Sequence, residues 1–222
     1  AKEVYEDADA AQDEVDAAVK ALTDAQGALE EKAGLPYVDI TEEHWGYNAV
    51  AYNYYAGTMT GKDDTHFAPD ESLKRAQFAA VLYKMNESPD VEFEEVFPDV
   101  PANVWCADCV TWALDNEIVT GYTDTNTFRP DNDVTRAELA TMLYRYAKNY
   151  KKYDVSTEGD YSTFPDAKDV QEFARDAMSW AVGEGIITGK TIDGQLMLYP
   201  NGTANRAECA TMIQRYMEIY EK

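Results

Sequence analysis

The chain has 222 residues, with 42 acidic side chains against 19 lysines and arginines and a formal net charge of −23. That excess argues against nucleic acid or an anionic membrane as a partner, because both attract concentrated positive charge. No apolar run approaches the roughly 18 residues a membrane-inserted helix needs, and no signal peptide is legible at the start.

A chain that opens on Ala1 without methionine reads as a fragment or mature C-terminal piece, with any export signal outside it. From about Asp9 to Lys32 the pattern is one amphipathic helix, with Val15, Ala18, Val19, Leu22, Ala25 and Leu29 on one face and Gly34 and Pro36 ending it. Its wording, A-A-Q-D-E-V-D-A-A-V-K-A-L, resembles the final helix of the short FIVAR modules of Gram-positive surface proteins. A generic connecting helix is the alternative.

The rest of the chain repeats one pattern three times. The copies begin Y-V-D-I at Tyr37, F-P-D-V at Phe97 and F-P-D-A at Phe164. Asp39, Asp99 and Asp166 are followed by Trp45, Trp105 and Phe173, then by Tyr52, Trp112 and Trp180. The glycine set Gly61, Gly121 and Gly189 comes next, then Pro69, Pro130 and Pro200, and finally Arg75, Arg136 and Arg206 at the mouth of a second helix. Insertions fall in loops, where they cost little. The expected organisation is an N-terminal helix and linker over 1–35 and repeats over 36–92, 93–153 and 154–222.

Each copy reads as helix, turn, loop, helix, so the fold class is mainly α. In the second, Trp105, Cys109 and Trp112 fall at helical spacing. Thr135 and Glu138 have the form of a capping box before the stripe Leu139, Met142, Leu143 and Tyr146. Asn205 and Glu208 repeat it, whereas Lys74 and Gln77 stand there in the first copy. A unit this small scarcely builds a core alone, so the three are expected to pack together.

The motifs F-P-D-V, G-x-x-x-G, F-x-P and T-R-A-E, over residues 37–220, resemble the S-layer homology domain. The resemblance implies a pseudo-threefold, three-pronged spindle around a central helical bundle, with grooves between the prongs. It also implies noncovalent anchoring at the outer surface of a Gram-positive wall, through a secondary wall polysaccharide often ending in pyruvylated N-acetylmannosamine. The first copy departs from the pattern in L-K-R-A-Q. Glu117 stands where the others have Gly57 and Gly185, and Phe173 replaces tryptophan. Grooves built from weakened positions are the expected non-binders.

The candidate binding residues are Arg75, Arg136, Arg206, Asp39, Asp99, Asp166, Trp45, Trp105, Gly61, Gly121 and Gly189. A cation at a helix N-terminus opposes the macrodipole, so helix stability alone does not select those arginines. Free helix-mouth amides and a guanidinium could together hold a carboxylate. Ion pairs with the three aspartates are the structural alternative. Trp45 and Trp105 suit either a sugar face or the core; Tyr52, Trp112 and Trp180 suit the core. The glycines suit positive φ or backbone donation to a ligand.

Cys106 and Cys109 lack two further zinc ligands at any recognised spacing, and with Cys209 they read as inert thiols, a disulfide being the alternative. The acidic loop from Asp124 has Thr135 where an EF-hand needs glutamate, so turns are favoured over calcium. No metal, cofactor or catalytic constellation is expected. The leading reading is a monomeric wall anchor rather than an enzyme; self-assembly into a surface array is the runner-up, and an adaptor acting through the N-terminal helix is third.

Overall fold

The computed structural model describes Lys20 and residues 34–221; apart from Lys20, the amphipathic helix read over Asp9 to Lys32 lies outside the described residues. Among the described residues six α-helices carry the fold: α1 (Tyr47–Tyr55), α2 (Arg75–Lys84), α3 (Ala107–Asp115), α4 (Arg136–Arg145), α5 (Arg175–Gly183) and α6 (Arg206–Tyr220). A π-helical turn, Tyr146–Tyr150, follows α4. The sequence pattern misses a hairpin in the third copy, β1 (Lys190–Ile192) paired antiparallel with β2 (Gln195–Met197). Asp193 and Gly194, both at positive φ, form its turn, as a two-residue hairpin loop requires.

The second helix of each copy starts at its cap. Thr135 Oγ1 accepts from the Glu138 amide at 3.2 Å while Glu138 Oε2 accepts from Thr135 N at 2.9 Å. Asn205 and Glu208 repeat the exchange at 2.8 and 3.3 Å. In the first copy half of it survives: Gln77 Oε1 accepts from Lys74 N at 3.0 Å. The lysine ammonium has no acceptor to return and pairs instead with Asp133 at 2.6 Å.

Among the described residues the main helix-to-helix contacts run between copies. The first helix of each lies against the second helix of the copy before it: α3 on α2, α5 on α4, and α1 on α6, which closes the circle. Asn53 of α1 donates to the Ala210 carbonyl of α6 at 2.8 Å. The residues two before each helix-opening arginine form a ring of backbone hydrogen bonds. Leu73 N donates to Ala204 O at 2.9 Å, Ala204 N to Val134 O at 3.1 Å, and Val134 N to Leu73 O at 2.8 Å. All three side chains are fully buried. A small repeat cannot bury its own apolar face, and this exchange is how the three share one core.

Burial divides the aromatics. Trp112 and Trp180 are core residues, Tyr52 is half-buried, and Trp45 and Trp105 are 61% and 65% exposed. Trp105 therefore does not extend the apolar face of α3. The helix starts only at Ala107, and the tryptophan sits in the turn ahead of it.

At the glycine turn after each first helix, Gly57 and Gly185 have φ of +72°, and Glu117 holds the same conformation at +56°. A side chain in that region is strained by about 1 kcal/mol or more. No neighbouring atom lies within 4 Å of a Cβ at Gly57 or Gly185, so packing gives no return. Glu117→Gly is expected to raise the unfolding free energy by up to about 1 kcal/mol, the strain relief exceeding the glycine entropy. Urea denaturation monitored by circular dichroism checks it.

Candidate functional site

The helix-opening arginines are buried. Arg75, Arg136 and Arg206 are 7%, 3% and 7% exposed. Each reaches the loop of the next copy through Nε: Arg75 donates to Phe128 O at 3.1 Å, Arg136 to Leu198 O at 3.1 Å, and Arg206 to Phe67 O at 2.7 Å. Burial pushes the Arg136 and Arg206 guanidinium groups below the usual arginine range.

Their ionic partners are not the aspartates. Arg75 pairs with Glu138 at 2.8 Å and Arg136 with Glu208 at 3.7 Å, each being the capping glutamate of the next copy. Gln77 occupies that place in the first copy, and Arg206 donates through Nη2 to Thr60 O at 2.7 Å.

The aspartates hold their own loops. Asp39 accepts from the amides of Phe67 and Ala68 at 2.8 and 2.7 Å. Asp99 takes Phe128 and Arg129 at 2.9 and 2.7 Å, and Asp166 takes Leu198 and Tyr199 at 2.9 and 2.7 Å. Ala68, Arg129 and Tyr199 all sit at positive φ, between +55° and +58°. Each carboxylate fork thus clamps a strained turn, whose carbonyl the neighbouring arginine then holds.

The helix mouths do not hold free amides for an anion, which corrects that part of the sequence expectation. Arg75 N and Ala76 N donate to Asn132 O and Pro130 O, Arg136 N and Ala137 N to Gly202 O and Pro200 O, and Arg206 N and Ala207 N to Glu71 O and Pro69 O. The otherwise orphan amides of the first turn are used to join one copy to the next.

Two cavities open beside this network. The first, about 590 Å³, is lined by Arg75 of one copy, Gly121, Glu138 and Arg145 of the next, and Phe173 of the third. The second, about 630 Å³, repeats the arrangement with Arg136, Gly189, Glu208, Arg215 and Trp45. Gly121 and Gly189 have φ of +66° and +88°. Their N–H groups have no hydrogen-bond acceptor among the described residues.

The first copy differs. Gly61 N donates to Tyr37 Oη at 2.6 Å, where the other copies have Phe97 and Phe164. In the alignment of the copies Trp105 is the residue equivalent to Trp45 and Phe173.

The profile of the S-layer homology domain matches residues 36–79, 96–140 and 163–210. The chain belongs to the S-layer homology domain family. It is 30% identical over 163 residues to a surface-layer 125 kDa protein of Lysinibacillus sphaericus, covering 73% of this chain and 13% of that protein. A cellulosome-anchoring protein of Acetivibrio thermocellus is 29% identical over 128 residues, 54% of this chain and 28% of the relative. An exoglucanase XynX of the same species is 25% identical over 190 residues, 84% of this chain and 17% of the enzyme. The chain thus spans a minor part of each of these relatives.

The three cysteines are free and buried. Burial pushes the Cys109 and Cys209 thiols up to about 12 and raises Cys106 as well. A raised pKa leaves the neutral thiol, not the reactive thiolate, at pH 8. Native protein at pH 8 is expected to resist a thiol-specific reagent for hours and to take up three equivalents once unfolded in guanidinium. Separately, Asp99→Ala removes two charge-assisted hydrogen bonds from a strained turn and is expected to cost about 3 kcal/mol in chemical denaturation.

Proposed function

We propose that this chain is a noncovalent anchoring module that holds an exported protein at the outer surface of a Gram-positive cell wall. It binds a secondary wall polysaccharide, and the bound unit is a pyruvylated amino sugar. The module has no catalytic activity of its own; the enzyme and surface-layer names of its relatives describe proteins several times its length. It acts as a monomer, its three repeats forming the three-pronged spindle that the cyclic packing favours.

The observation that carries this reading is the composition of the two cavities. In each, an arginine from one copy, a glycine turn from the next and an aromatic side chain from the third meet around one concave site. Aromatic faces with a few polar donors suit a sugar ring, and guanidinium groups suit the carboxylate of a pyruvyl ketal. An acidic protein with a charge of −23 binds an acidic glycan only where local cations outweigh the overall field.

The matches to surface-layer proteins also fit a second reading, in which the repeats assemble into an array. Light scattering separates the two: an anchor stays monomeric as concentration rises, and an array former associates.

Replacing the helix-opening arginines tests binding poorly, because each also joins two copies. Arg136→Ala takes the Nε donor from the Leu198 carbonyl and leaves Glu208 with Lys190 as its ionic partner, and is expected to lower stability by several kcal/mol. Trp45 is the better probe, being exposed in the second cavity. Trp45→Ala is expected to leave the thermal midpoint nearly unchanged and to weaken binding to purified sacculi on the order of tenfold. Chemical removal of the pyruvyl ketal from the sacculi is expected to abolish most wild-type binding. Undiminished binding after that treatment excludes the ketal as the determinant.

A further inference from the structure

The cations that line the two cavities are not equivalent. Arg75 and Arg136 are bonded to carbonyls and paired with Glu138 and Glu208. Lys190 is bound to Glu208 at 2.5 Å. Arg215 donates through Nη1 to Ile186 O at 3.0 Å and to Thr188 Oγ1 at 3.3 Å, so it is tied to its own glycine turn. Arg145 holds the equivalent place in the first cavity and has no hydrogen bond, ion pair or aromatic partner among the described residues.

A half-buried guanidinium without a partner is costly to a folded protein, because lost hydration is not replaced. Burial pushes its pKa below the usual arginine range, and the carboxylates that line the same cavity, Glu138 and Asp124, pair with Arg75 and Arg129 rather than with it. The backbone does not force this on it. Arg145 ends α4, where a cation is favoured by the helix dipole while reaching into water. Instead it lines a concavity together with Thr141, Met142, Gln171 and Phe173. The planar fork offers several unused donors in a cavity that the exposed Phe173 also lines.

We propose that Arg145 is the anion-docking residue of the first cavity, where its guanidinium takes the carboxylate of the bound sugar acid. In the second cavity the same position serves the protein's own turn, so the two sites bind the acid with different strength. This rests on the anchoring reading above and specifies which side chain meets the acid.

The test compares wild type, Arg145→Gln, Arg145→Lys and Arg215→Gln for binding to purified sacculi carrying pyruvylated polymer, each with its thermal midpoint. Arg145→Gln is expected to weaken binding by about tenfold or more, as loss of a charge-assisted contact does, while the midpoint stays constant or rises. Arg145→Lys, which keeps charge and loses the fork, is expected to fall between the two. Arg215→Gln is expected to lower the midpoint, because its partners are internal. Wild-type binding matched by Arg145→Gln overturns the assignment and leaves the anchoring function standing. A midpoint lowered by several degrees in Arg145→Gln marks the guanidinium as structural and overturns it too. Wild type that fails to bind these sacculi overturns the anchoring reading, and the Arg145 assignment falls with it.

Discussion

The fold depends on a hand-over between copies. Each helix-opening arginine, with the two backbone amides at that helix start, bonds to the loop of the next copy, and the third returns to the first. The loop it grips is made graspable by an aspartate, whose carboxylate holds two successive amides around a residue at positive φ. Aspartate, strained turn and arginine therefore form one device used three times. Its closure turns three marginal helix pairs into one core, because every first helix packs on the second helix of the preceding copy. A linear array leaves its end repeats with an uncovered face; a closed cycle has no ends.

The same device explains a cation where the helix dipole opposes one. The unfavourable end charge is offset by a carbonyl acceptor and, in two cases, by the capping glutamate of the neighbouring copy. The first copy, with Lys74 and Gln77, leaves Arg206 to a backbone carbonyl instead. There Tyr37 also supplies the oxygen that Gly61 N meets, so the third set of equivalent residues is more fully satisfied from within. Degeneracy in the first copy is thus a change in who supplies the partner, not a failure of the fold.

Much of this was legible as pattern. The triplication, the capping boxes at Thr135 and Asn205 and the core roles of Trp112 and Trp180 follow from spacing and side-chain chemistry. The exposure of Trp105 was not, because helical spacing is the same whether or not the helix has begun. Arg145 escaped notice for a related reason. With Lys84 and Arg215 it shares one position, nine residues after each helix-opening arginine, and at Lys84 and Arg145 that position falls in the last helical turn, where the macrodipole favours a cation without any ligand. Only the partners of Arg215, and the lack of any for the Arg145 side chain among the described residues, separate the two.

The sequence by itself determined the elements: three copies, their caps, their turns and the acidic field they work against. Those depend on local backbone preferences and near neighbours, which residue order encodes directly. Tertiary structure decided which copy each helix and arginine serves, and that helix-mouth amides go to protein carbonyls rather than to a ligand. Three nearly identical copies carry no local signal for choosing between an internal partner and the next copy's. That choice is made by the closing of the ring, where all apolar faces and orphan amides are satisfied at once.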